Sequence, residues 1–289
     1  MREDRGDRVV DFAARHLPYG AVSGVAPWLV GWRAFQRGSL GREARRFQAM
    51  RPLSRDPANF RRATGRFLAS TGWRRLYEWR LQAAQHGDPK DLQRWFPVEG
   101  IERLERARSV GRGVVLLNSH YGLGRLVPYF LTARGIPMLS IEGRAMLQSE
   151  GLEVLSVSTS FPAQVLRRGR QALQEGRVVH TTGDGYQGQS GEALPFLGRE
   201  RRFPEGFAML AVRCEALVVP VFAPVDDRGR VRIQIQEPLS TGDPSIDRAV
   251  RASELIQQYI RMLEDRWTSD PGNITTGHVS KYLALPRQA

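Results

Sequence analysis

His120 is the residue whose setting best suits it to chemistry. It lies in Gly111-Arg-Gly-Val-Val-Leu-Leu-Asn-Ser-His120-Tyr-Gly-Leu-Gly-Arg125. Val114 to Leu117 reads as a short buried strand, bounded by Gly113 and Asn118. A polar loop presents His120, and apolar residues at helical spacing follow from Leu123 to Ala133. Sites in α/β folds gather at the C-terminal ends of strands. Imidazole ordinarily titrates near neutrality, so a histidine there is suited to act as a general base. Taken alone, such a histidine more often closes a strand end.

The elements that must position it alternate. Gln164 to Gln174 reads as a helix closed by Gly176, and Val178 to Thr181 as the next strand. Leu217 to Phe222 is a third buried run, and Val231 to Gln236 alternates as a strand does. Ile246 to Trp267 predicts a long amphipathic helix with Ile256, Tyr259, Ile260, Leu263 and Trp267 on one stripe. Strands alternating with helices predict an α/β fold with a largely parallel central sheet flanked by helices. Residues 1–94 read differently. The first 80 hold 17 Arg against 7 Asp and Glu, and four of the six Trp. Asn59 to Gln85 has helical composition. We expect an N-terminal helical, membrane-associating layer over 1–94, packed on an α/β core over 95–289.

The chain has 289 residues and a net charge of +13, with 41% hydrophobic and 25% charged residues. That excludes wholesale disorder and is enough to bury a real core. The basic excess is 41 Arg against two Lys, Lys90 and Lys281. Arginine grips phosphate and carboxylate bidentately, so acidic partners such as an anionic membrane surface are expected. No nucleic-acid-binding signature accompanies the charge, and no nucleic acid is expected. A single cysteine, Cys214, excludes an internal disulfide framework, and five scattered histidines show no zinc pattern. The apolar stretch Leu17 to Trp32 spans 16 residues and contains Pro18 and Pro27. It is short of the roughly 20 residues that cross a bilayer, but suits an interface.

Five blocks, in order, resemble the lysophospholipid acyltransferase superfamily. They are most similar to the lipid A late acyltransferases (lauroyl and myristoyl transferases) and their phosphatidylinositol-mannoside relatives. Gly111, Gly113, Val115, Leu116, Leu117, His120, Tyr121 and Gly122 match a block like G-K-G-x-I-L-L-x-x-H-F-G-N-W-E. Gly176-Arg-Val-Val and Gly183-Asp184-Gly-Tyr186-Gln-Gly188 resemble G-x-V-x-x-x-x-D-Q-x-x-G. Leu194 to Gly198 resembles V-P-F-F-G, and Gly206 to Ala211 with Val218 to Val221 resembles the G-x-x-x-L-A and I-V-P-V blocks. Pro271-Gly-Asn273 and His278 keep the spacing of P-E-Q-W-x-W-x-H, with Ile274 and Thr276 in place of both tryptophans. The resemblance covers about Phe96 to His278.

It implies a glycerolipid acyltransferase-like fold and a transfer from acyl-carrier protein or coenzyme A to a hydroxyl of a phospho- or glycolipid. A histidine base would take the hydroxyl proton. The acyl thioester is the donor substrate, and neither a metal nor another cofactor is implied. Such a protein would work at the cytoplasmic face of the inner or plasma membrane. The family holds its histidine with an acid five residues on, and here that position is Arg125, which cannot accept a hydrogen bond. Three readings stay open. Another carboxylate orients His120, Asp184 first and Glu142 second. Or His120 acts without one, and Arg125 binds a phosphate or polarises the thioester. Or the chain is a catalytically silent binder of lipid or acyl carrier.

Arg144, Arg202 and Tyr186 are further candidates for substrate contact, from the arginine clusters and the Asp184 loop. Arg167, Arg168 and Arg170 read as a solvated helix face. Phe203-Pro-Glu-Gly206 spells the phosphate block of glycerol-phosphate acyltransferases, yet it sits just before the third strand, so it reads as a helix start. Cys214 and His180 read as structural side chains, and His278 matches a family position without an assigned role.

Overall fold

The computed structural model describes residues 17–30, 38–85, 89–143, 149–157, 160, 162–185 and 193–286. Among the described residues the first helices are α1 (Tyr19–Leu29), α2 (Ser39–Gln48), α3 (Phe60–Gln85) and α4 (Pro89–Trp95). Then come β1 (Val98–Glu99), α5 (Ile101–Ser109), β2 (Val114–Asn118), α6 (Val127–Ala133), β3 (Met138–Glu142), β4 (Leu152–Ser156), α7 (Pro162–Gln174) and β5 (Val178–Thr182). The hairpin of β6 (Ala193–Phe196) and β7 (Arg199–Arg202) leads to α8 (Gly206–Cys214), β8 (Leu217–Phe222), β9 (Ile233–Ile235), α9 (Arg248–Ser269) and α10 (Thr276–Leu283).

Seven strands form one sheet in the order β1-β9-β8-β2-β5-β3-β4. Neighbours run parallel except β8 and β9. A parallel sheet needs cover on both faces, and the central strand shows why the sequence there is continuously apolar. Val115 and Leu117 of β2 enter one cluster, with α8 and α9. Val114 and Leu116 enter the other, with α5 and α6. The long helix α3 serves both. Phe60, Phe67 and Leu68 pack in the first cluster, Trp73, Tyr77 and Leu81 in the second. Its apolar residues therefore do not hold to one stripe.

The predicted stripe of α9 is buried throughout, and the Asp247 carboxylate caps the helix by accepting from the N–H groups of Ala249 and Val250. Where the sequence reading placed a helix from Leu123, the first turn is a 3₁₀ segment, Gly124–Leu126, and the α-helix starts at Val127. A Cβ at Gly124 would come within 2.2 Å of the Ser119 carbonyl oxygen, so the chain crosses itself closely here. β3 and β4 were not anticipated. β3 carries Ser140 and Glu142, which are nonetheless buried because they bond each other and their neighbours. β4 is an edge strand of half-buried residues, with no apolar run to announce it. The alternating run Val231 to Gln236 forms a strand over Ile233–Ile235, with Val231 in an isolated bridge to Val225. Cys214 ends α8 and is half-buried rather than enclosed. As the sequence reading had it, Gly206 opens a helix after Glu205. The helix within the N-terminal apolar stretch has 11 residues. No helix among the described residues is long and apolar enough to cross a membrane.

Candidate active site

Strand register brings the two loops together. β2 and β5 are parallel neighbours, with Asn118 opposite Thr182. Two residues further along each strand stand His120 and Asp184, so the sheet delivers both to one level at its C-terminal edge. The Gly183 N–H bonds the Asn118 carbonyl at 3.0 Å and continues the ladder to that point.

The Asp184 carboxylate is fully buried and takes two kinds of bond from one residue. It accepts the backbone N–H of His120 at 3.0 and 2.9 Å, and its Oδ1 lies 2.7 Å from Nδ1 of the ring. An ionised carboxylate accepts only, so Nδ1 carries a proton, and in the neutral form of the ring the lone pair is on Nε2. The His120 side chain is 29% exposed and lines a pocket of about 310 Å³. Burial by itself would raise the Asp184 pKa. The charge and hydrogen bond of His120, with the charges of His278 and Arg201, outweigh it and hold the carboxyl well below the usual range.

His278 completes the cluster. Its ring stacks on that of His120, with centroids 4.3 Å apart and planes at 23°. Its Nε2 lies 3.1 Å from the Asp184 carbonyl, which can only accept, and its Nδ1 lies 3.1 Å from Thr275 Oγ1. Burial pushes its pKa down to about 4, against the pull of the Asp184 charge. It is therefore neutral beside His120 at neutral pH. The Asp184 carbonyl also accepts from the Arg201 guanidinium, which lies buried 4.4 Å from the Phe203 ring centre.

The loop is pinned from the far end of the chain. The Gly122 N–H bonds the Asn273 carbonyl at 2.6 Å, and the Tyr121 hydroxyl bonds the Asp270 carbonyl at 3.0 Å. Gly122 has φ +65°, and a Cβ on it would lie 2.2 Å from the Ala223 carbonyl oxygen. Only glycine fits this turn.

Arg125 lines the same pocket as His120, together with Arg74 and Lys281. Glu142 is engaged elsewhere. Its carboxylate accepts from Ser140 at 2.5 Å and from Tyr129 at 3.4 Å. Burial raises its pKa, opposed by those bonds and by Arg125. Ser140 also meets Nδ1 of the buried His180 at 2.7 Å, so His180 sits within the core of the sheet. Arg202 points to solvent, and its neighbour Arg201 points inward to the Asp184 loop. Strand alternation was the available signal for Arg201: it shares the inward side of the hairpin. His278 had a family position but nothing in its local sequence to join it to His120. Arg168 is tied to Glu153 and Glu175, which makes it part of a surface ion-pair group. Arg144 and Tyr186 lie outside the described residues.

His120, Asp184 and His278 hold their ligand atoms within 4.8 Å of one another, a spacing that invites a cation. The bonding does not favour one. The Asp184 oxygens and the His278 ring nitrogens are already hydrogen-bonded, and the in-plane lone pairs of two stacked imidazoles do not converge on a point. What the arrangement supplies is an imidazole held by a carboxylate in one orientation, in the wall of a cationic pocket.

No curated protein matches the chain. The sequence profile described as bacterial lipid A biosynthesis acyltransferase matches residues 80–268, which takes in the sheet, His120 and Asp184 and stops short of His278. Together with the ordered blocks and the α/β sheet, that match settles the family: the chain belongs to the bacterial lipid A biosynthesis acyltransferases.

Proposed function

We propose that this protein moves a fatty acyl chain from the thioester of acyl-carrier protein or coenzyme A to a hydroxyl of a phospho- or glycolipid, with His120 as general base. The observation that carries this reading is the bond from His120 Nδ1 to the buried Asp184 carboxylate. It supplies from a second strand end the acid that Arg125 cannot be. The acceptor hydroxyl gives its proton to Nε2, and its oxygen attacks the thioester carbonyl. A C–O bond forms, and the carbonyl oxygen takes the negative charge. Collapse of that intermediate breaks the C–S bond, and the imidazolium returns the proton to the departing sulfur. Asp184 holds the ring and stabilises the imidazolium, the role of the carboxylate in a Ser-His-Asp triad. Here the substrate supplies the nucleophile. Neutral His278 stacks on the ring without adding a charge against it.

The acceptor is met at a membrane surface, which we place on the cytoplasmic side, where acyl thioesters are made. Trp28 and Val25 of α1 and Trp79 of α3 are 69%, 59% and 64% exposed. Aromatic side chains among arginines suit an anionic interface. The rival is a silent binder of lipid or carrier.

The test is lipid mass spectrometry of a strain lacking the gene and complemented with wild type or His120→Ala. Wild type is expected to add one acyl chain to a lipid whose mass names acceptor and chain together, and His120→Ala is not. Identical lipids from both strains, with both proteins folded and present, would leave the silent binder.

A further inference from the structure

Consecutive residues of the loop after β2 are held by different partners. Asp184 holds the His120 N–H, and the Asp270 carbonyl holds the Tyr121 hydroxyl at 3.0 Å. The Asn273 carbonyl accepts the Gly122 N–H at 2.6 Å, and the Ala223 carbonyl accepts the Leu123 N–H at 2.8 Å. Two of these anchors, Asp270 and Asn273, stand in one short turn between α9 and α10. The Asn273 amide is buried and fully engaged. Its oxygen accepts the Val225 N–H at 2.7 Å. Its NH2 donates to the Val225 carbonyl at 3.3 Å and to the Asp270 carboxylate at 2.9 Å. One side chain thus copies the paired bonds of a strand neighbour and fastens the turn to the segment beyond β8.

The other side of the turn rests on α3. A Cβ at Gly272 would lie 2.9 Å from the Ala63 carbonyl oxygen and 3.1 Å from the Arg66 Cβ, so helix and turn are in direct contact. Gly272 stands where the matched block has glutamate, and a side chain there would push α3 away. Arg66 grips the Asp270 carboxylate with both ends of its fork, Nη2 on Oδ1 and Nη1 on Oδ2 at 3.2 Å. The two side chains are only 17% and 27% exposed, and a bidentate pair of this kind is directional. The same stretch of α3 carries α1. A Cβ at Gly65 would collide with the Ser23 carbonyl, and the Arg61 guanidinium lies 3.2 Å from the centre of the exposed Trp28 ring. Residues 61–66 therefore stand between the exposed aromatic face and the turn that pins the loop of His120.

We infer that Arg66 is a positioning residue for His120, acting through Asp270 and Asn273, so that the N-terminal helical layer helps to build the active site. The inference rests on the acyl-transfer reading for its catalytic consequence. A general base must keep its nitrogen within hydrogen-bond reach of the acceptor hydroxyl, and a misplacement of about 1 Å can cost about 10²-fold in rate. Asp184 orients the ring, whereas the turn fixes the backbone that follows it. Without Arg66 the Asp270 carboxylate loses the partner that holds it over the turn, and Asn273 shares that loss through its 2.9 Å bond.

Arg66→Ala, Arg66→Lys and Asp270→Asn in the full chain test this. Acyl transfer is measured with palmitoyl thioesters of coenzyme A and of acyl-carrier protein, on the lipid extract of the strain lacking the gene. Amide hydrogen exchange is followed at His120 and Gly122. Arg66→Ala should lower kcat about tenfold or more and leave the donor KM within about twofold, because the base is displaced and the donor site is not. The His120 and Gly122 amides should exchange about tenfold faster while those of β3 do not change. Arg66→Lys keeps the charge without the fork and should recover part of the rate. Sedimentation with phosphatidylglycerol vesicles should be unchanged, since Arg66 is largely covered. Circular dichroism shows that each variant is folded. Asp270→Asn leaves the carbonyl for Tyr121 in place and should show the same pattern more mildly, so it decides the matter if Arg66→Ala does not fold. A folded Arg66→Ala protein with kcat within about twofold of wild type and unchanged exchange at Gly122 would overturn the inference. So would a loss of rate matched by an equal loss of vesicle binding with exchange unmoved, because the layer would then be an anchor alone. Failure of the two readings is separable. Full acyl transfer by the variants keeps the enzyme and removes the positioning role. Faster exchange at Gly122 without acyl transfer by wild type removes the enzyme and supports the hold of Arg66 on the loop.

Discussion

Asp184→Asn isolates the step on which the proposed chemistry depends. The carboxylate offers one oxygen to Nδ1 of His120 at 2.7 Å and shares both with the backbone N–H of the same residue at 3.0 and 2.9 Å. An amide has one acceptor oxygen for these two donors. If the oxygen stays on Nδ1, the amide NH2 faces the backbone N–H, and a buried donor is left unsatisfied at a cost of about 1–3 kcal/mol. If the amide turns, its NH2 donates to Nδ1, the ring proton moves to Nε2, and the base has no lone pair to offer. The second arrangement gives the amide NH2 an acceptor in the ring and the backbone N–H the amide oxygen, so the inactive tautomer is favoured. The same exchange in a Ser-His-Asp triad lowers kcat about 10⁴-fold, and general-base assistance is worth about 10²- to 10⁴-fold. We expect kcat to fall within that range, or about 3–5 kcal/mol in the barrier. The assay is steady-state acyl transfer on purified protein, with circular dichroism to show that the variant is folded. A folded Asp184→Asn protein with kcat within about threefold of wild type would refute the reasoning. So would a Glu142→Gln variant that loses as much, because Glu142 is bonded to Ser140 and Tyr129 and not to His120.

Three further outcomes are expected. His278 titrates near 4 in the folded protein against 6.5 ordinarily, so between these values the unfolded chain binds more protons. Its contribution is full above about pH 6.5 and is lost as pH falls toward 4, with about 2–3 kcal/mol gone by about pH 4.5. Urea midpoints at high and low pH should therefore differ less in His278→Gln than in wild type, and an equal difference would count against it. Gly122→Ala drives a Cβ against the Ala223 carbonyl at a φ of +65° and should cost about 3 kcal/mol or more in a denaturant melt; an unmoved midpoint contradicts the turn geometry. Replacing Trp28 and Trp79 by Ser should reduce sedimentation with anionic vesicles several-fold, and unchanged sedimentation argues against that face as the membrane contact.

Much of this protein was legible along the chain. β2 and β8 could be read because a strand covered on both faces must be continuously apolar, β5 from its Val178-Val179 start after a glycine-closed helix, and α9 because one buried stripe must recur at helical spacing. His120 stood out because it ends such a strand, and the ordered blocks named the family. What one-dimensional pattern could not supply was pairing. β3 hid behind Ser140 and Glu142, whose polarity is tolerated because they bond each other, Tyr129 and His180. Arg125 made the histidine look unsupported, and its partner stands 64 residues on, at a distance set by the parallel register of β2 and β5. The inward turn of Arg201 rather than Arg202 depended on the pleat of a hairpin. The stacking of His278 on His120 and the meeting of Arg74, Arg125 and Lys281 depended on helices from both ends of the chain packing over one sheet edge. Local composition decides which segments become strands and helices, because burial acts on each residue where it stands. Long-range packing alone decides which side chains share a pocket, because that is a property of register and layer order and not of neighbours in sequence.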